Sequence, residues 1–227
     1  MKQYVIIFFS LFLLSACDSL QKESTLKFSG TLEWTEHALG AKSSGRLATL
    51  AVEEGDVVKK DQVIATLDRF DQARKDYLRI ENLYNQGGAT EQQKEYAVLA
   101  MDDQRVTSPL DGIVLVKVHE TGEIVQSGSP VVVIGDPQDI WVKIFVMEKL
   151  INTIHIEQPA KINFDGLKQS FNGHVIFISP KAEFTPRNVQ TEEERITQTF
   201  AVKVKLDNPP PYLRPGVAAD IYLEKQN

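Results

Sequence analysis

The feature that most constrains this chain is a glycine ruler that occurs twice. Gly45, Gly55, Asp61 and Leu67 in one segment have counterparts Gly112, Gly122, Gly128 and Ile134 in another, with steps of 10, 6 and 6 and a constant offset of 67. Each segment alternates apolar residues at period two and breaks at turn residues, which predicts strand, turn, short strand, turn, strand. Asp61 holds the place of Gly128, and aspartate also tolerates a left-handed turn. One such half would expose an apolar face that a lone hairpin cannot stabilise. Two halves facing each other bury it, so the repeat predicts a small β-sandwich.

Between the halves the periodicity changes. Phe70, Ala73, Tyr77, Ile80 and Tyr84 step by 3, 4, 3 and 4, the seam spacing of a coiled coil. Gly87 and Gly88 stop this helix. Thr90-Glu91-Gln92-Gln93 is a capping box that starts a second, with Tyr96, Leu99 and Val106 as its expected seam. The insert is therefore expected to be an antiparallel helical hairpin. After residue 137 the reading is all-β. Trp141–Val146, Ala160–Phe164, His174–Ile178, Phe200–Leu206 and Ala218–Leu223 are short β-rich runs separated by turn clusters. Five or six such strands can close as a small barrel and remove exposed edges.

The first residues speak to compartment. Lys2 is the only charge before Asp18, and an apolar run from Val5 to Leu14 lies between them. That run is too short to span a bilayer, which needs about 20 residues, and it fits a secretory signal peptide. It ends in Leu14-Ser15-Ala16-Cys17. Residues 18–27 lack apolar periodicity and read as a tether.

The remaining composition mostly excludes. Lys plus Arg is 25 against 31 Asp plus Glu, a net charge of -6, which gives no electrostatic case for nucleic acid. A single cysteine allows no internal disulfide or thiolate metal cluster. His37, His119, His155 and His174 are isolated from one another, without the spacing of a zinc helix. No nucleophile elbow or ordered Ser, His, Asp set appears, so the expectation is a protein that is not an enzyme and holds no cofactor or metal.

Several of these segments resemble known families. Leu14-Ser15-Ala16-Cys17 resembles the lipobox of bacterial lipoproteins. That implies that residues 1–16 are removed, that Cys17 carries lipid, and that 17–29 form the tether. Asp18 resembles an inner-membrane retention signal. The two sandwich halves resemble those of a biotinyl/lipoyl-type domain, although no Met-Lys-Met or Asp-Lys-Ala context supplies a modified lysine. Gly45-Arg46-Leu47, Glu54-Gly55-Asp56, Thr107-Ser108-Pro109-Leu110-Asp111-Gly112-Ile113-Val114, Ile140-Trp141-Val142, Ile178-Ser179-Pro180 and Leu213-Arg214-Pro215-Gly216 together resemble the HlyD-type membrane fusion proteins. Ser108 stands where that family usually has Ala.

The resemblance implies a mainly β fold with an α-helical hairpin: a split lipoyl-like sandwich (a barrel-sandwich hybrid) over 30–69 and 107–136, a short antiparallel coiled-coil hairpin over 70–106, and a small β-barrel over 137–224. It implies a periplasmic adaptor of a Gram-negative bacterium, held by lipid at the inner rather than the outer membrane. Its partners would be an inner-membrane transporter, a TolC-like outer-membrane channel, and further copies in a ring, a hexamer by that resemblance. The loop from Ala182 to Arg195 looks like that of adaptors paired with ABC-type exporters, which favours ABC over RND partners. Arg79, Leu83 and Thr90 resemble the tip motif that meets the channel. Each also has an ordinary reading, as solvated face, seam residue and N-cap. Glu192-Glu193-Glu194 reads first as a solvated loop. The hairpin is short for the family, and the sequence ends soon after the barrel. The competing reading is a lipid-anchored module that captures a ligand or metal for a pump without touching a channel.

Overall fold

The computed structural model describes residues 25–184 and 198–224. Among the described residues thirteen strands carry most of the fold, with two helices inserted between the fourth and fifth strands and one short helical turn later. Among the described residues no helix is long and apolar enough to cross a membrane. The described residues divide into two compact units: residues 33–140 with 209–213, and residues 141–184 and 198–208 with 25–32 and 214–224. Two long strands, β1 (Thr25–Gly40) and β8 (Pro130–Met147), are each shared out between the units.

The unit over 33–140 is the repeat made three-dimensional. Its first half holds β2 (Gly45–Leu50), β3 (Val57–Val58) and β4 (Val63–Leu67). The second holds β6 (Gly112–Lys117), β7 (Ile124–Val125) and the start of β8. The halves exchange their short strands: β2 pairs with β7 through Gly45↔Val125, and β6 pairs with β3 through Val58↔Gly112. These are one contact written twice at the offset of 67. The hydrogen bonds repeat too. Gly55 N–H donates to the Val114 carbonyl and Gly122 N–H to the Leu47 carbonyl, both at 2.8 Å. Asp61 N–H reaches the Ser108 carbonyl and Gly128 N–H the Ala41 carbonyl, again both at 2.8 Å. Asp61 and Gly128 sit at φ 64 and 85, the left-handed turn expected of both.

The symmetry reaches further than the glycines. Leu39 matches Val106 and Ala41 matches Ser108, all buried. The latter pair lies just after β1 and just after β5 (Arg105–Thr107), at equivalent places in the two halves. Ser108 is fully buried, yet its hydroxyl donates to the Leu110 carbonyl at 2.6 Å, so the polar atom is not left unsatisfied. Leu47, Val58, Ile64 and Leu67 face their counterparts Val114, Val125, Val131 and Ile134 in one core.

The other unit is a barrel. Its order runs β12 (Gln198–Leu206), β10 (Ser170–Ile178), β9 (Pro159–Phe164), β13 (Ala218–Glu224), β1 and β8, and β8 pairs back to β12. Closure leaves these six strands without a free edge. A two-residue strand, β11 (Glu183–Phe184), pairs on β12. Val142, Ile144, Ile162, Val175, Val204 and Ile221 alternate inward and are fully buried.

One expectation is corrected here. Residues 25–29, assigned to the tether, are strand: Leu26 faces Leu223 and Phe28 faces Ile221 across β1 and β13. The alternation Leu26, Phe28, Leu32 is the physical reason. The expected signal peptide, Cys17, Asp18 and the part of the expected tether before residue 25 lie outside the described residues, as do residues 185–197 with Glu192-Glu193-Glu194 and Arg195.

Candidate functional site: the helical hairpin tip

The hairpin is α1 (Phe70–Asn85) and α2 (Glu91–Asp102). The α1 seam falls where the spacing puts it: Phe70, Ala73, Tyr77, Ile80 and Tyr84 are each half-buried. The α2 seam does not. Tyr96 and Leu99 are 64% and 57% exposed, while Lys94, Ala97, Val98 and Met101 turn inward. The partner chemistry on α1 explains this. Glu81 and Tyr84 offer a carboxylate and a ring face, and Lys94 satisfies both, with Nζ 3.7 Å from Glu81 and 5.0 Å from the Tyr84 ring centre. The Tyr77 hydroxyl also donates to Glu81 at 2.5 Å. That bond raises the Tyr77 phenol above its ordinary pKa, helped by partial desolvation and the Glu81 charge. A polar clasp of this kind fixes the register of two helices. Small Ala97 and Val98 then let the backbones approach.

The turn is tightly defined. Gly88 N–H donates to the Leu83 carbonyl at 2.8 Å and Gly87 N–H to that of Tyr84 at 2.9 Å. Gly87 sits at φ 76, the left-handed close of a helix that glycine allows. Thr90 then caps α2 in a reciprocal box: Gln93 N–H donates to its hydroxyl oxygen at 3.2 Å, and Thr90 N–H donates to the Gln93 side-chain carbonyl at 2.8 Å.

Arg79 and Leu83 lie one turn apart on one face of α1, as an i, i+4 pair must. Both are exposed, Leu83 at 40%. Arg79 forms an ion pair with Asp76 one turn back, which holds one edge of its guanidinium and leaves the rest towards solvent. Thr90 lies across the turn, and among the described residues no hydrogen bond joins it to either. The structure therefore places two of the three side chains on an open surface and gives the third a capping job. Asp76, which aims Arg79, was missed in the sequence reading; its i-3 position was the available signal. Leu78 adds a further exposed apolar side chain on α1. Among the described residues no group of His, Cys, Asp and Glu is arranged to hold a metal.

Comparison with known proteins agrees with this architecture. Residues 36–135 match the barrel-sandwich hybrid domain of RND membrane fusion proteins, and residues 139–227 match a CusB-like β-barrel domain. A UPF0194 membrane protein of Acidithiobacillus ferridurans is 35% identical over 124 residues, which is 54% of this chain and 37% of that protein. The matched part thus spans little more than a third of that relative. Among solved structures, the periplasmic adaptor protein EmrA superposes with a TM-score of 0.55 at 13% identity, covering 91% of this chain and 100% of that one. MacA from Actinobacillus actinomycetemcomitans gives 0.60 at 18% identity, covering 90% and 79%. At such identities these two speak to the fold. With its sandwich and its barrel each matched over most of their length, the chain belongs to the membrane fusion protein family.

Proposed function

We propose that this chain is a lipid-anchored periplasmic adaptor that joins an inner-membrane exporter to a TolC-like outer-membrane channel. In this reading it performs no chemistry. It assembles into a ring, hexameric by the family resemblance, whose sandwich and barrel domains surround a conduit. Lipid on Cys17 holds it to the inner membrane. An ABC-type exporter is the favoured partner over an RND-type one, on the likeness of the loop over 182–195.

The observation that carries the reading is the exposed pair Arg79 and Leu83 on a hairpin whose turn and register are fixed. Leu83 offers apolar area to a groove. Arg79 offers a planar fork of donors to carbonyls or carboxylates. The Gly87–Thr90 turn and the Lys94 clasp present both without a large ordering cost on binding. Arg79→Asp tests this: export should be abolished while folding and membrane attachment persist. The substitution places a carboxylate beside Asp76 and opposite the partner's acceptors, and losing one member of an interfacial charge contact costs about 2–5 kcal/mol. Export at the wild-type rate by a folded, anchored Arg79→Asp protein would sink the reading.

A further inference from the structure

The barrel carries a surface that channel contact does not use. Strands β8, β12 and β10 lie side by side, and their outward residues form cross-strand rows. One row is Trp141, Lys205, His174; the next is Lys143, Lys203, Phe177. Phe145 and Met147 continue the face along β8, and Phe145 and Phe177 are 42% and 41% exposed. Lys143 and Lys203 stand directly opposite each other. Like charges in that position are destabilising, and among the described residues neither has an ion pair. Instead each lies along a ring: Lys203 Nζ is 4.0 Å from the Trp141 ring centre and Lys143 Nζ is 5.3 Å from that of Phe145. The nearby carboxylate Asp207 is engaged by His174 at 2.7 Å. A basic, aromatic face on a chain of net charge -6 is a local conflict of the kind that marks a functional surface.

We infer that this face docks on anionic phospholipid headgroups. The chemistry suits an interface: aromatic rings settle at headgroup level, and lysines reach past them to phosphate while their stems stay on apolar ground. Chain length suits it as well. This step rests on the lipid anchor proposed above. The eight residue-to-residue steps from Cys17 to Thr25 span at most about 28 Å, so an anchored Cys17 confines the start of the barrel strand β1 to within that distance of the bilayer. A surface lysine near anionic lipid contributes about a fivefold gain in affinity, enough for a tethered unit to dock without anchoring it independently.

The test uses the full-length lipidated protein in vesicles of phosphatidylcholine, alone or mixed with phosphatidylglycerol. Trp141 fluorescence is read against a headgroup-level spin-labelled lipid, and Trp141→Phe supplies the background of buried Trp34. Quenching should appear with phosphatidylglycerol, be absent with phosphatidylcholine alone, and vanish in high salt. Lys143→Gln and Lys203→Gln should each weaken the phosphatidylglycerol dependence about fivefold, with melting kept or slightly raised as the opposed charges are relieved. Equal quenching in both vesicles, no quenching, or a dependence that survives the double variant would overturn the assignment. So would shielding of Trp141 from an aqueous quencher without any lipid dependence, the sign of an acidic protein or a second copy on this face. Flotation of the vesicles reads the anchor separately, so failure of docking and failure of the anchor are told apart.

Discussion

The sandwich and the hairpin are contiguous in sequence and hold together by opposite means. In the sandwich, Leu47, Ile64 and Leu67 and their counterparts Val114, Val131 and Ile134 are all within 1% of full burial. Neither hairpin helix has a fully buried residue. The sandwich is specified by apolar volume used twice at a fixed offset. The hairpin is specified by a capping box, a glycine turn and one lysine held between a carboxylate and a ring. The difference places global stability in the repeat and leaves the hairpin as an exposed projection whose surface residues are free to serve contact.

That contrast can be broken at several points. The largest effect is expected in the shared core. Leu67→Ala and Ile134→Ala should each cost about 2–5 kcal/mol by denaturant titration, and comparably, because each fills the same place in its half. A cost confined to one half would contradict the equivalence. The repeat also predicts where it fails. Gly135 corresponds to Asp68 at the offset of 67, but a Cβ on Gly135 would sit 2.4 Å from Cε3 of Trp34. Gly135→Ala should therefore cost about 1–3 kcal/mol through overpacking, while Asp68→Ala at the exposed counterpart should stay within about 0.5 kcal/mol.

The hairpin should respond locally. Thr90→Ala should cost about 1 kcal/mol of helix capping, seen as faster amide exchange in the first turn of α2 with sandwich amides unchanged. Slower sandwich amides would exchange equally fast only if the two regions were one cooperative block, which would dissolve the contrast. The smallest effect is expected for Lys94→Met. Its ion pair with Glu81 is partly exposed, and such pairs contribute about 1 kcal/mol or less. The retained stem should keep the helices packed, while the hairpin register becomes less sharply defined by interhelical distance measurements.

Much of this was legible where a residue type has one dominant use. Gly55, Asp61, Gly122 and Gly128 mark left-handed turns, and the Thr90–Gln93 box marks a helix start. The extension of the repeat to Leu39/Val106 and Ala41/Ser108 was not, because no glycine marks it and Ser108 hides a buried, satisfied hydroxyl behind a polar name. Strand β1 was not legible over 25–29 because Leu26 and Phe28 are only two apolar steps, and Gly30 interrupts the alternation before Leu32 completes it. The α2 seam was misread because Tyr96 and Leu99 outrank Lys94 in hydrophobicity, whereas the inward position is set by what Glu81 and Tyr84 across the hairpin can accept. At the tip, Arg79 and Leu83 became candidates only through family resemblance; the sequence alone allowed a solvated face and a seam.

Site-specific photo-cross-linking at positions 83 and 86 in exporting cells tests the central claim most directly. If the tip meets a channel, both positions should capture an outer-membrane protein, and Arg79→Asp should abolish that product while membrane attachment persists. Capture of only the adaptor itself or the inner-membrane transporter during active export would contradict the account.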